Sequence, residues 1–308
     1  MPQNLQNNTS KNSENPFKSG FIPITGLPNA GKSTLLNLLC AARLSIISDK
    51  PQTTRNNILG ILNGKDFQAV FVDTPGFLKA RNKFEKAMEH SIKRASSEEG
   101  DAVVLLAEPK IPPESKLELF EPLKHISCPI FLAINKIDIF PEKQAKETAD
   151  FFKKMLPVAE TFFISALHGN NTGKLRSAIA NILPEHPAYY PEDQLTDRWE
   201  RFYAAEIIRE QIFRLFSMEI PYSCAVQIEK FMEVPGGPDE IFATIHVSKE
   251  SHKGILIGKG GRMLKKLREK SQNAITKFLG RPALAHLTVR TTSDWQNNTD
   301  FLKENGLL

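Results

Sequence analysis

Eight residues, Gly26-Leu-Pro-Asn-Ala-Gly31-Lys32-Ser33, constrain this chain more than anything else in it. They fit G-x-x-x-x-G-K-[ST] and fall between an apolar run, Phe21 to Thr25, and a segment of helical composition, Ser33 to Cys40. A strand that ends in such a turn and opens a helix lets backbone N–H groups curl round phosphates, which also meet the positive end of that helix. Gly26, Asn29, Ala30, Gly31 and Thr34 are expected around those phosphates, Lys32 is expected to neutralise β- and γ-phosphate charge, and the Ser33 hydroxyl is expected on Mg²⁺. The motif selects phosphate and leaves the base open.

The context extends the constraint. Ala69 to Asp73, Ala102 to Ala107, Ile130 to Asn135 and Thr161 to Ser165 are continuous apolar runs, as in parallel strands buried on both faces. Helical segments at Asn82 to Glu98, Lys116 to Leu123 and Glu142 to Met155 alternate with them, which predicts an α/β fold with a mostly parallel, wound sheet. Ligands of such sheets gather at the carboxyl ends of the strands, where the remaining motifs lie. Asn135-Lys136-Ile-Asp138 chooses the base: the Asp138 carboxylate accepts from guanine N1 and N2, while Asn135 and the Lys136 stem hold the ring. Adenine cannot offer that donor pair, and unpaired buried polar groups reject a mismatched base. Ser165-Ala166-Leu167 follows the next strand, with the Ala166 N–H expected at guanine O6. Asp73-Thr-Pro-Gly76 supplies a carboxylate one coordination sphere out from Mg²⁺ and a Gly76 N–H for the γ-phosphate; of Thr53 and Thr54, the second is favoured as a Mg²⁺ ligand from a loop ordered by GTP. Lys32, Thr54 and Gly76 are thus the residues expected to act in hydrolysis. Phe77 stands where a glutamine would orient the attacking water, so slow intrinsic turnover is expected. Asn29 is placed to offer K⁺ an oxygen in place of an arginine finger.

With 308 residues the chain exceeds what one core usually serves, and two domains are expected. Met1 to Ser19 is rich in Asn, Ser, Gln and Lys without a signal-peptide core and reads as a disordered cytoplasmic tail. Residues 20–184 read as the nucleotide domain. Three prolines among the eight residues Pro184 to Pro191 mark an extended linker, 185–197. Residues 198–308 then read α-β-β-α-α-β, with helices at Arg198 to Phe216 and Lys259 to Leu279 and a helical turn at His252 to Leu256. Its strands are expected at Cys224 to Phe231, Ile241 to Val247 and Ala283 to Arg290. Gly258-Lys259-Gly260-Gly261 fits the G-x-x-G turn of a KH domain, which lets a single-stranded backbone approach closely. From Lys253 to Arg281 there are nine basic residues, among them Arg262, Lys265 and Lys266, against Glu269 alone, an excess larger than the whole chain's net charge of +5. Ile255, Leu256 and Ile257 are expected to floor a groove for bases. The three cysteines and seven histidines show no metal-ligand spacing, so neither a transition metal nor a disulfide framework is expected.

Pro28-Asn29-Ala30-Gly31-Lys32-Ser33-Thr34-Leu35-Leu36-Asn37, Gln52-Thr53-Thr54-Arg55 and Asp73-Thr74-Pro75-Gly76 together resemble the TRAFAC-class GTPases of the Era family. Ile220 to Phe231, Lys253 to Gly261 and Trp295 before a short terminal helix look like that family's C-terminal type II KH domain. The resemblance covers nearly everything from Phe21 onward. It implies a GTP/GDP- and Mg²⁺-binding switch, a monomer that binds the 3′ end of 16S rRNA, assists 30S subunit assembly and touches the inner membrane surface peripherally. Glu108-Pro109 departs from the aspartate-ended strand more usual among relatives, and the N-terminal tail is longer. A GTPase serving tRNA modification or another assembly step would share the first-domain motifs, though not this second half. An RNA-binding module merely regulated by GTP is compatible with Phe77, and a membrane-surface GTPase would lay the basic helix on anionic lipid.

Overall fold

The structure, a computed structural model, describes residues 16–48, 50, 53–77, 80, 82–86, 88 and 100–307. A six-stranded sheet forms the first half from β1 (Lys18–Thr25), β2 (Ile58–Asn63), β3 (Phe67–Asp73), β4 (Val103–Ala107), β5 (Ile130–Ile134) and β6 (Val158–Phe163). Its order is β2-β3-β1-β4-β5-β6, and every pairing is parallel except β2 with β3. The central strands Val-Val-Leu-Leu-Ala and Ile-Phe-Leu-Ala-Ile are buried at every position, as a sheet covered on both faces requires.

Helix α1 (Lys32–Leu39), α2 (Glu142–Met155) and α3 (Thr172–Ile182) cover that sheet. In α2, Ala145, Thr148, Ala149 and Phe152 recur at helical spacing and form its buried stripe. Segment Glu114–Lys124 is a 3₁₀ helix where an α-helix was expected, with Pro122 inside it unable to donate to the ladder. Helix α3 and the edge strand β2 are not among the elements expected from sequence, although Asn63-Gly64 between apolar runs is a hairpin signal. β1 begins at Lys18, inside the stretch read as tail. Of the helix expected at Asn82 to Glu98, Asn82 is a bend, residues 83–86 and 88 are helical, and residues 87 and 89–98 lie outside the described residues, as does Gln52.

The linker lies against the sheet. Gln68 accepts from the N–H groups of Tyr189 (2.8 Å) and Tyr190 (3.0 Å) and donates to Tyr190 O (2.8 Å). Ile61 of the edge strand donates to Leu195 O at 2.9 Å, so the linker also covers an edge that would otherwise invite pairing.

The second half follows the expected order, with α4 (Glu200–Leu215), β7 (Cys224–Met232), β8 (Asp239–Val247), α5 (Glu250–Ile257), α6 (Arg262–Leu279) and β9 (Ala283–Thr291), then α7 (Thr299–Glu304). β7 and β8 pair antiparallel and β8 and β9 parallel. The three helices α4, α5 and α6 bury Ile208, Ile212, Leu256, Leu267 and Ile275 against this sheet. A small separate core joins the halves: Phe84 and Met88 pack with Ala225, Trp295 and Leu302.

Candidate functional site

A cleft of about 560 Å³ opens at the carboxyl ends of β1, β3 and β5, lined by Asn29, Lys32, Ser33, Thr54, Asn135 and Asp138 among others. The turn that leads into α1 is tight. Gly31 has φ +98°, and a Cβ there would lie 2.4 Å from Asn135 Nδ2, so no side chain fits. Lys32 is 6% exposed, and its Nζ donates to Gly26 O (3.2 Å) and Leu27 O (3.1 Å). Burial pushes its ammonium down to about 8 against the pull of Asp73. A buried cation beside a helix N-terminus is suited to anionic phosphate. Asn29, at φ +66°, sits at the exposed crest of the same loop.

Behind Lys32 the hydroxyls converge. Asp73 is wholly buried, and its Oδ2 accepts from Ser45 (2.7 Å), Ser33 (2.8 Å) and Thr54 (3.4 Å); Ser33 and Thr54 are 2.9 Å apart. Burial pushes its carboxyl above the usual range, opposed first by Lys32 and then by the three hydroxyls. Asp73 Oδ1 is buried with no hydrogen-bond partner. Two hydroxyls and a carboxylate with a spare oxygen make a hard, all-oxygen set that fits Mg²⁺, which takes few protein ligands beside phosphates and water. Ser33 and Thr54 would hold the ion directly and Asp73 through its waters; the ion supplies neutralisation of phosphate charge. Thr53 takes no part, since its hydroxyl donates to Lys50 O at 2.7 Å. Ser45 was missed from sequence, where it is one serine in an ordinary run. Gly76 backs onto the phosphate loop, where a Cβ would meet Pro28 at 2.9 Å. Phe77 points away from the cleft into the core, edge-on to Phe120 with ring centroids 5.2 Å apart.

At the base end, Asn135 is 3% exposed and acts as a brace: Nδ2 donates to Ala30 O (2.8 Å) and Oδ1 accepts from Ala166 N (2.8 Å). The Ala166 N–H expected at guanine O6 is thus directed to Asn135. The Asp138 carboxylate is held below its ordinary range by the Ser165 hydroxyl first, then by its own backbone, His168 and Lys136. It stays an anion, as acceptance of two guanine N–H groups requires. Lys136 is ion-paired with Glu108, the residue that departs from the usual aspartate, and the pair fixes the lysine stem at the cleft wall. Leu167, 71% exposed, and Thr34 also line the cleft.

The G-x-x-G turn joins α5 to α6. Gly258, Gly260 and Gly261 have φ of +70°, +61° and +75°. A Cβ at Gly258 would meet Met263 Cγ at 2.8 Å, whereas nothing lies within 4 Å of one at Gly260. Lys259, Arg262, Lys265 and Lys266 are all exposed around this turn and the start of α6. Ile255 is 49% exposed and Ile257 partly so, but Leu256 is wholly buried and belongs to the core, not to a groove floor. Helical geometry points neighbours in different directions, which the apolar run concealed. Arg281 also leaves the basic face, because it pairs with Glu200 and Asp239 (2.7 Å).

The joint between the halves starts beside Thr54. Arg55 is 6% exposed and donates to Cys224 O (2.6 Å), Tyr222 O (3.1 Å) and Pro221 O (3.2 Å), with its guanidinium 5.3 Å from the Phe84 ring centre and 5.8 Å from that of Trp295. Lys50 reaches Phe213 O and Phe216 O at the end of α4, and Trp295 Nε1 donates to Ser223 O at 2.9 Å.

Comparison with known proteins accords with both sites. Residues 21–136 match the family model of a 50S ribosome-binding GTPase, and residues 219–296 match that of the KH domain. GTPase Era of Elusimicrobium minutum is 43% identical over 95% of this chain and 98% of its own length. A single-residue variant of Aquifex aeolicus Era bound to GDP·AlF₄⁻ superposes with a TM-score of 0.89 at 34% identity, covering 94% of this chain and 99% of that one. The structure of Era with MgGDPNP and nucleotides 1506–1542 of 16S ribosomal RNA matches with the same score, identity and coverage. A phosphate loop, a guanine-selecting carboxylate and a G-x-x-G turn in one chain, together with full-length identity of this order, place it in one family: the chain is a member of the Era GTPases, a GTP-hydrolysing domain followed by a KH domain.

Proposed function

We propose that this GTPase uses GTP and Mg²⁺ to set its grip on single-stranded ribosomal RNA, the 3′ end of 16S rRNA, and so assists assembly of the small ribosomal subunit. The observation that carries this reading is Arg55. It follows a residue suited to Mg²⁺ and the γ-phosphate, yet its guanidinium is buried among three carbonyls at the start of β7. A loop that rearranges on hydrolysis must either drag those carbonyls or break from them, and breaking leaves a buried cation unpaired. The cations around Gly258 and the relative solved with 16S rRNA support RNA as what is gripped.

Coupling requires unequal RNA affinity in the two nucleotide states. Fluorescence anisotropy with a 3′-end 16S oligonucleotide is expected to show tighter binding with a GTP analogue than with GDP; equal affinities remove the switch. Arg55→Lys, which keeps one charge but not the fork, should retain both ligands while narrowing the difference. Phe77 in the core supports slow unaided hydrolysis, and Asn29 on the phosphate loop supports K⁺ as activator. Identical rates in K⁺ and Na⁺ buffers would exclude that role. The protein works as a cytoplasmic monomer, with membrane contact limited to the α6 cations, which co-sedimentation with anionic liposomes tests.

A further inference from the structure

Asp73 Oδ2 collects three hydroxyl donors, and they are not equivalent. Ser33 and Thr54 are the two that suit the metal, so their oxygens have a second task whenever Mg²⁺ binds. Ser45, the nearest at 2.7 Å, has none. It is 2% exposed, lies outside every nucleotide motif and is clasped by a single side chain. Asn37, on α1, accepts from the N–H groups of Leu44 and Ser45 through Oδ1 (both 2.8 Å) and donates to Ser45 O through Nδ2 (2.7 Å). The chain of contacts therefore runs from α1 through Asn37 and Ser45 to Asp73, entirely within buried or half-buried structure.

We propose that Ser45, held by Asn37, is a positioning residue of the Mg²⁺ site. It pins Oδ2 of Asp73 independently of the metal, so that the carboxylate keeps its orientation toward the ion's water shell when Ser33 and Thr54 turn to the ion. Without Ser45 the carboxylate can rotate about χ2, and the same residues bind the ion less well. This inference rests on the reading of Ser33, Thr54 and Asp73 as the Mg²⁺ site.

The test is release and equilibrium binding of a fluorescent GDP analogue across a Mg²⁺ titration, with the full chain. Wild type should bind more tightly as Mg²⁺ rises; if it does not, the Mg²⁺ reading itself fails. With that response present, Ser45→Ala should need about 10-fold more Mg²⁺ for half-effect, the usual cost of removing a group that orients a metal's ligand. Its GDP affinity in EDTA should match wild type. Asn37→Ala, which leaves the Ser45 hydroxyl but frees its backbone, should shift the Mg²⁺ midpoint in the same direction by less. An unchanged midpoint in Ser45→Ala, or an equal loss of affinity with and without Mg²⁺, would overturn the proposal in favour of a merely structural serine.

Discussion

The nucleotide cleft and the G-x-x-G groove both present positive charge and close backbone to phosphate, and they are built in opposite ways. In the cleft, Lys32, Asp73 and Asn135 are almost wholly buried and each is bonded to named partners. Around the groove, none of Lys259, Arg262, Lys265 and Lys266 is buried. Buried groups in low dielectric interact strongly and tolerate no mismatch, whereas solvated cations each contribute little and are screened by salt. A site of the first kind concentrates its function in single residues, and one of the second kind spreads it.

That contrast can be broken in order of effect. Asp138→Ala should weaken GDP binding by roughly 1,000-fold, because this carboxylate at the cleft rim is covered by the base it accepts from, and the donors of guanine N1 and N2 would lose that anionic acceptor; calorimetry checks it, and a loss below 10-fold would mean the base is read elsewhere. Gly258→Asp should weaken RNA binding by roughly 100-fold, since about 1–3 kcal/mol of backbone strain at φ +70°, ψ 172°, a region essentially confined to glycine, adds to repulsion of phosphate. GDP binding by that variant should not move. Gly260→Ala carries the milder strain of the left-handed helical region, φ +61° and ψ 26°, without the clash against Met263, so a smaller loss is expected; an equal loss would show that backbone shape at Gly258 is not what matters. Lys265→Ala and Lys266→Ala should each cost only a few-fold in RNA affinity and flatten the slope of log affinity against log salt by about 0.7. A single lysine worth as much as Asp138 would erase the distinction between the two sites.

The same division governs what the sequence made legible. Phosphate and Mg²⁺ chemistry dictates residue type at Gly31, Lys32, Ser33 and Asp73, so spacing alone located them. Ser45 could not be located, because nothing in its neighbours distinguishes a serine aimed at a carboxylate from one facing water. Arg55 was legible as a basic residue next to Thr54, but its carbonyl partners lie about 170 residues away, as the separation from Cys224 records. Asn135 and Ala166 are read from sequence as separate contacts to guanine, and their mutual bond follows from packing rather than pattern. In the fold, continuous buried strands declared themselves, while β2 did not: an edge strand containing a glycine has a weak periodic signal. Leu256 misled for the converse reason, since a three-residue apolar run cannot reveal which member faces inward.

The bonded linker also fixes how far the second domain can travel. A loose tether over residues 185–197 would extend to roughly 45 Å and let the RNA-binding half wander. With Gln68 and Ile61 holding the chain as far as Leu195, only residues 196–199 are left before α4, a radius of roughly 14 Å. Motion is thereby reduced to short-range shifts, which the Arg55 and Lys50 bonds and the core of Phe84 with Trp295 restrict further. Domain exchange between two molecules, which needs a long free arm, is disfavoured by the same anchoring.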